Sequence, residues 1–210
     1  MRKALIIGLT GQTGAGKSTV AELLNNYGYK VLSADETAAL VTSKGSPTLK
    51  KLAEAFGQDI LLESGDLDRK LLAARAFSSP EQLKKMNDIT HPEICRLLMK
   101  KVNGAFFDGY DVAVLDASQL FESNLDQNCD LIISVTAPEE VRLQRIMERD
   151  NITEEQGRQR MGAQLSEQFF LDHSDIIIEN KSNKTYLHTL VGKATDIIEQ
   201  LGKEPEGATE

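Results

Sequence analysis

The sequence has 210 residues, 40% hydrophobic and 27% charged, with a formal net charge of -8. That suits one globular domain with a small insertion or lid, and enough chain to bury a sizeable core. The acidic balance makes it a poor generic binder of nucleic acid or anionic membrane, so neither is expected as a partner; a bound polyphosphate must be held by local cations and backbone amides.

The first apolar run, Ala4 to Leu9, predicts a strand. It is too short for a membrane span or signal segment and leads straight into glycines. The next residues, Gly11-Gln12-Thr13-Gly14-Ala15-Gly16-Lys17-Ser18, fit GxxxxGK[ST] without exception. The glycines let the backbone turn tightly with its N–H groups inward. A helix from Lys17 to about Asn26 follows, with Val20, Leu23 and Leu24 on one face. Its N-terminal amides supply partial positive charge where phosphates would lie. Lys17 reaches the outer phosphates as a point charge, and the Ser18 hydroxyl is placed to ligate Mg2+. Gly11, Gly14, Ala15, Gly16, Lys17, Ser18 and Thr19 are therefore the expected nucleotide-binding set. A glycine-rich turn with a helix cap is the competing explanation, and it does not account for eight matched positions in a strand-loop-helix context.

"YKVLSAD" predicts a second short strand ending near Ser33. Asp35 lies two residues beyond it. Strand C-terminal ends face the ligand crevice in α/β sheets, where a carboxylate can take the proton of an attacking hydroxyl. Ser33-Ala34-Asp35 before Glu36 equally resembles a helix N-cap. Residues 36–101 read as a helix-rich, acceptor-binding insertion, with turns at "KGSP" and "ESGD" and a break at His91-Pro92. A third strand, Asp111 to Ala117, contains Asp116, which fits either a magnesium-holding carboxylate or an ordinary turn residue. A fourth strand is expected over Asp130 to Val135 and a fifth over Asp175 to Asn180. Between them, residues 141–168 form a basic helical stretch suited to a lid. Arg142, Arg145 and Arg149 share one face of it by spacing, as nucleotide contacts or as a solvated charged face. A last helix from about Lys184 to Leu201 precedes a polar tail, 202–210, expected to fray.

The strands are nearly continuous apolar runs, which marks strands buried on both faces. The expected fold is α/β: a three-layer P-loop kinase domain over 1–201, with a five-stranded parallel sheet flanked by helices. Cys95 and Cys129 lack metal-ligand spacing and read as free thiols of a cytoplasmic protein. A GTPase is disfavoured. "DASQ" puts Gln119 where a D-x-x-G motif needs glycine, and "NKSN" puts Asn183 where the base-reading loop needs aspartate. The chain is also short for an ATPase motor, which leaves a small P-loop kinase.

In order along the chain, "GLTGQTGAGKSTVAELL", "GYKVLSADETAALV", "FGQDILLESGDLDRKLLAARAF", "MNDITHPEI", "VLDASQLFES", "RLQRIMERDNITEEQGRQRMGAQ" and "SDIIIEN" resemble the dephospho-CoA kinase family, over about Ala4 to Leu201. The resemblance implies transfer of the ATP γ-phosphoryl group to the ribose 3′-hydroxyl of dephospho-CoA with Mg2+, the last step of coenzyme A biosynthesis. It puts Asp35 at the family's proposed catalytic aspartate, with Lys17 the catalytic cation on the donor side. It favours Arg145 and Arg149 as lid arginines on the nucleotide, and it raises Arg69 and His91 as acceptor contacts. From the residues alone, Arg69 could pair Asp66 or Asp68, and His91-Pro92 is first a helix break. The chain departs from the family pattern at Ala39, where an arginine is common, and at Ser118-Gln119, where Pro-Leu is usual. Those departures keep open a related kinase with another hydroxyl acceptor, such as a nucleoside. A nucleotide-binding regulatory protein is the remaining alternative.

Overall fold

The computed structural model describes residues 3–181 and 183–203; beyond Lys203, the expected fraying of the tail lies outside the described residues. Residues 33–101 form one compact unit, and the described residues on either side form the other.

The larger unit is built on a five-stranded parallel sheet. Its strands are β1 (Leu5–Gly11), β2 (Lys30–Ser33), β3 (Val112–Asp116), β4 (Leu131–Thr136) and β5 (Ile176–Glu179), in the order β2-β3-β1-β4-β5. The apolar runs find their places by burial. β1, β3 and β4 occupy the middle and are almost wholly buried, whereas β2 and β5 form the edges and are half-buried. Leu5, Ile7, Leu9, Val114, Ile133 and Val135 fill the core with Val20 and Leu24 of α1 (Lys17–Asn26) and Val191 and Ile198 of α9 (Lys184–Leu201). Fully burying one such side chain contributes roughly 1.5–3 kcal/mol. The parallel register sets β1 against both neighbours, with Leu9 opposite Asp116 on β3 and Gly11 opposite Val135 on β4. All three strands therefore end at the same edge, where β1 runs into the glycine loop.

Three helices lie between β4 and β5: α6 (Glu139–Asp150), α7 (Glu154–Gly162) and α8 (Glu167–His173). Thr153 and Gln156 form a reciprocal capping box at the start of α7, the arrangement that satisfies two orphan amides at once. Cys95 and Cys129 are free thiols. Burial, with Asp126 and Asp130 nearby, pushes the Cys129 thiol up to about 12.

The second unit contains α2 (Ala34–Val41), α3 (Pro47–Phe56), α4 (Arg69–Ala76) and α5 (Pro80–Phe107) up to Lys101. Each of the first three has a side-chain cap. Ser33 accepts from the Glu36 amide, Ser46 from Leu49, and Asp68 from Lys70 and Leu71. A small core of Leu52, Phe56, Ile60, Leu72 and Ala76, with Met86 and Ile89 against it, holds α3, α4 and α5 together.

One expectation is overturned here. His91-Pro92 does not break the chain: α5 runs through both residues as a single helix of 28 residues. Pro92 forfeits one i→i−4 bond, a loss of about 3 kcal/mol. The bonded turns on both sides and the packing of Met86 and Ile89 carry the helix across it.

Candidate functional site

The glycine loop runs from the end of β1 to Gly16, the N-cap of α1. Its shape depends on residues without a Cβ. Gly14 has φ +77, and a Cβ there would come within 2.6 Å of the Arg142 carbonyl oxygen on α6. Gly16 has φ +96, and a Cβ there would come within 2.3 Å of the Asn180 side-chain nitrogen. Both positions need the left-handed region and close approach, which only glycine provides without strain.

Two side chains hold the loop's carbonyls from outside. Asn180, the residue after β5, is buried and donates its side-chain amide to the Ala15 carbonyl at 2.9 Å. Arg145 of α6 donates to the carbonyls of Gly14 (3.0 Å) and Ala15 (3.2 Å) and lies 3.5 Å from the Asn180 side-chain oxygen. Carbonyls held from outside in this way suit a loop that turns its amides toward an anion. The helix N-terminus at Lys17–Thr19 adds its partial charge.

Lys17 ion-pairs with Asp116, the last residue of β3. The parallel register brings this carboxylate beside the end of β1. Ser18 sits exposed in the first turn of α1. Among the described residues there is no ready-made cluster of carboxylate, imidazole and thiolate ligands. One hydroxyl and one carboxylate nevertheless suit Mg2+, which keeps several waters and completes its shell with substrate phosphates.

The three lid arginines separate. Arg145 reaches the loop. Arg142 is buried, its Nε donating to the Ala137 carbonyl at 3.1 Å, and burial lowers its pKa against the opposing pull of Glu167 and Glu139. The Arg149 guanidinium is engaged bidentately by Asp150, both contacts at 2.8 Å, at the C-terminal end of α6. An adjacent carboxylate attracts it more strongly than a helix face alone can determine.

In the second unit, Ser33 performs the capping that could have been assigned to Asp35, and Asp35 stands exposed in the first turn of α2. Arg69 bonds neither Asp66 nor Asp68. Asp68 caps α4 and Asp66 accepts from Ser64, while Arg69 donates to the Thr42 hydroxyl at 3.3 Å. His91 is half-buried within α5. Desolvation lowers its pKa, partly offset by Asp88.

Two loop contacts were not anticipated from sequence. The sequence marks Asn180 only as the last residue of the expected fifth strand. Gln164, after α7, accepts from the Thr13 amide at 2.7 Å, and no spacing rule connects residues 151 apart. The one available signal for Asn180 was its position at the C-terminal end of a parallel strand.

A family model for dephospho-CoA kinase matches residues 5–185. The chain is 42% identical over 189 residues to a dephospho-CoA kinase of Corynebacterium glutamicum, covering 90% of this chain and 94% of that protein. A solved structure from Thermus thermophilus superposes with a TM-score of 0.81 at 32% identity, covering 94% of this chain and 98% of the other. A solved dephospho-CoA kinase from Campylobacter jejuni gives a TM-score of 0.69 at 26% identity, covering 93% and 97%.

Proposed function

The chain belongs to the dephospho-CoA kinase family, and we propose that it transfers the terminal phosphoryl group of ATP to the ribose 3′-hydroxyl of dephospho-CoA, giving coenzyme A and ADP. The observation that carries the donor half is the glycine loop, drawn outward at Gly14 and Ala15 by Arg145 and Asn180 and followed directly by Lys17.

The loop amides not spent on carbonyls of the loop itself hold the phosphates, and Lys17 leaves Asp116 to follow the charge moving onto the leaving oxygen. Such a step depends on positioning and charge neutralisation more than on covalent help from the protein. Asp35 accepts the proton of the 3′-hydroxyl as its oxygen bonds to phosphorus and the bond to the ADP oxygen breaks. Ser18 and Asp116 are the residues that would hold Mg2+, which when bound neutralises phosphate charge. Arg145 supports the loop, and Arg149 serves the nucleotide only by exchanging Asp150 for phosphate. Arg69 and His91 are assigned to the acceptor, with His91 neutral. The compartment in keeping with a free-thiol protein is the cytoplasm; among the described residues no helix is long and apolar enough to cross a membrane.

Ala39 and Ser118-Gln119 favour one second reading, a kinase of the same fold with another hydroxyl acceptor. ADP release measured across dephospho-CoA, nucleosides and free ribose separates the two. Saturation at the lowest concentration by dephospho-CoA is expected, and preference for a nucleoside would overturn the acceptor assignment.

A further inference from the structure

The amide of Thr13 lies in the glycine loop assigned to phosphate, yet a protein group already occupies it. The Gln164 side-chain oxygen accepts from Thr13 N at 2.7 Å. Gln164 belongs to the short segment joining α7 to α8, and that segment's helix is fixed independently of the loop. Arg158 of α7 bonds Glu139 (2.9 Å) and Glu140 (3.4 Å) of α6, and a Cβ on Gly157 would come within 2.7 Å of Leu143. The segment after α7 can thus release its hold on Thr13 while α7 stays in place. Elsewhere in the loop the Ala15 amide closes on the Gln12 carbonyl at 3.1 Å, so Thr13 is engaged by a distant segment and Ala15 by its own loop.

We propose that Gln164 is a positioning residue that occupies the Thr13 amide until the outermost phosphate of a nucleoside triphosphate displaces it, so that the segment after α7 senses triphosphate but not diphosphate. This rests on the assignment of the loop to ATP. Gln164 offers a neutral amide oxygen, whereas phosphate offers a charged one, and a charge-assisted bond is roughly twice as strong as a neutral pair. Phosphate therefore wins the amide. Thr13 lies on the β1 side of the loop, four residues before Lys17, at the limb opposite the helix N-terminus. A phosphate chain anchored by α1 brings its far end to that limb. A diphosphate stops short and leaves Gln164 in place.

The proposal makes the two obvious variants move in opposite directions. Removing the competing oxygen in Gln164→Ala tightens triphosphate binding. Putting a carboxylate there in Gln164→Glu strengthens the competitor and adds like charge against phosphate, which weakens binding. A merely structural Gln164 would weaken binding when truncated.

The test is calorimetric titration of wild type, Gln164→Ala and Gln164→Glu with ADP and with β,γ-methylene ATP, both with magnesium, alongside the melting temperature of each ligand-free protein. The expected result is about three- to tenfold tighter binding of the triphosphate analogue to Gln164→Ala, the fold-change of one net hydrogen bond. ADP affinity should not change, and the analogue should bind Gln164→Glu more weakly than wild type. Unchanged or weaker analogue binding to Gln164→Ala, or an equal shift for ADP, would overturn the proposal. Wild type binding neither nucleotide would instead overturn the ATP assignment itself. A variant with a lowered melting temperature is judged on the ratio of its two nucleotide affinities, which a general loss of folding leaves unchanged.

Discussion

Asn180 donates its side-chain amide to the Ala15 carbonyl at 2.9 Å, tying the end of β5 to a loop 165 residues earlier in the chain. This buried bond closes the site from the side opposite β3. Asn180→Ala leaves the Ala15 carbonyl with Arg145 alone and opens space beneath Gly16. The carbonyl keeps one partner, so the loss is that of one net hydrogen bond, about 0.5–1.5 kcal/mol. Urea unfolding should show a lower midpoint at unchanged slope, with weaker ATP binding; an unchanged midpoint would mean the bond contributes nothing.

Gly16 and Asn180 are expected to be coupled. Gly16→Ala pays a backbone strain of about 1–3 kcal/mol for its positive φ, and its Cβ also meets the Asn180 side-chain nitrogen at 2.3 Å. Adding Asn180→Ala removes the collision but not the strain. A double-mutant cycle should therefore show the pair less destabilising than the sum of the two single changes. Strict additivity would remove the steric part of this account.

On the proposed function, Lys17 and Asp116 divide their roles once nucleotide is bound. Lys17→Ala is expected to lower kcat by about 10²–10³, the scale for losing one group aimed at transition-state charge. Asp116→Asn should raise the magnesium concentration needed for half-maximal rate, because it removes a carboxylate ligand. A titration of rate against magnesium checks this. An unchanged midpoint in Asp116→Asn takes Asp116 out of the metal site.

His91 gives a pH dependence with a definite sign. Burial lowers its pKa in the folded chain, so the unfolded chain binds the proton more readily. Stability is full above the free imidazole value of about 6.5 and falls as pH drops from there toward the lowered folded value. His91→Gln should flatten the melting temperature across that acid window. A slope equal to wild type would place the acid sensitivity elsewhere.

Much of this architecture was legible in the sequence because it rests on local rules. The continuous apolar runs of β1, β3 and β4 announced strands buried on both faces. The spacing of Gly11, Gly14, Gly16, Lys17 and Ser18 announced the loop. What escaped depended on partners far along the chain. Helical spacing put Arg142, Arg145 and Arg149 on one face but could not say which one faces a carbonyl, the interior or a neighbouring carboxylate. Asn180 and Gln164 reach the loop only once β5 and the turn after α7 are folded against it. Pro92 misled because local propensity predicted a break that the surrounding helix and its core overrode.

The central claim is tested most directly by the mass of the product. Wild type and Asp35→Ala are incubated side by side with ATP, magnesium and dephospho-CoA. The account predicts stoichiometric coenzyme A and ADP from wild type and almost none from the variant, since losing a general base costs about 10²–10⁴ in rate. No coenzyme A from wild type above the Asp35→Ala level would contradict it.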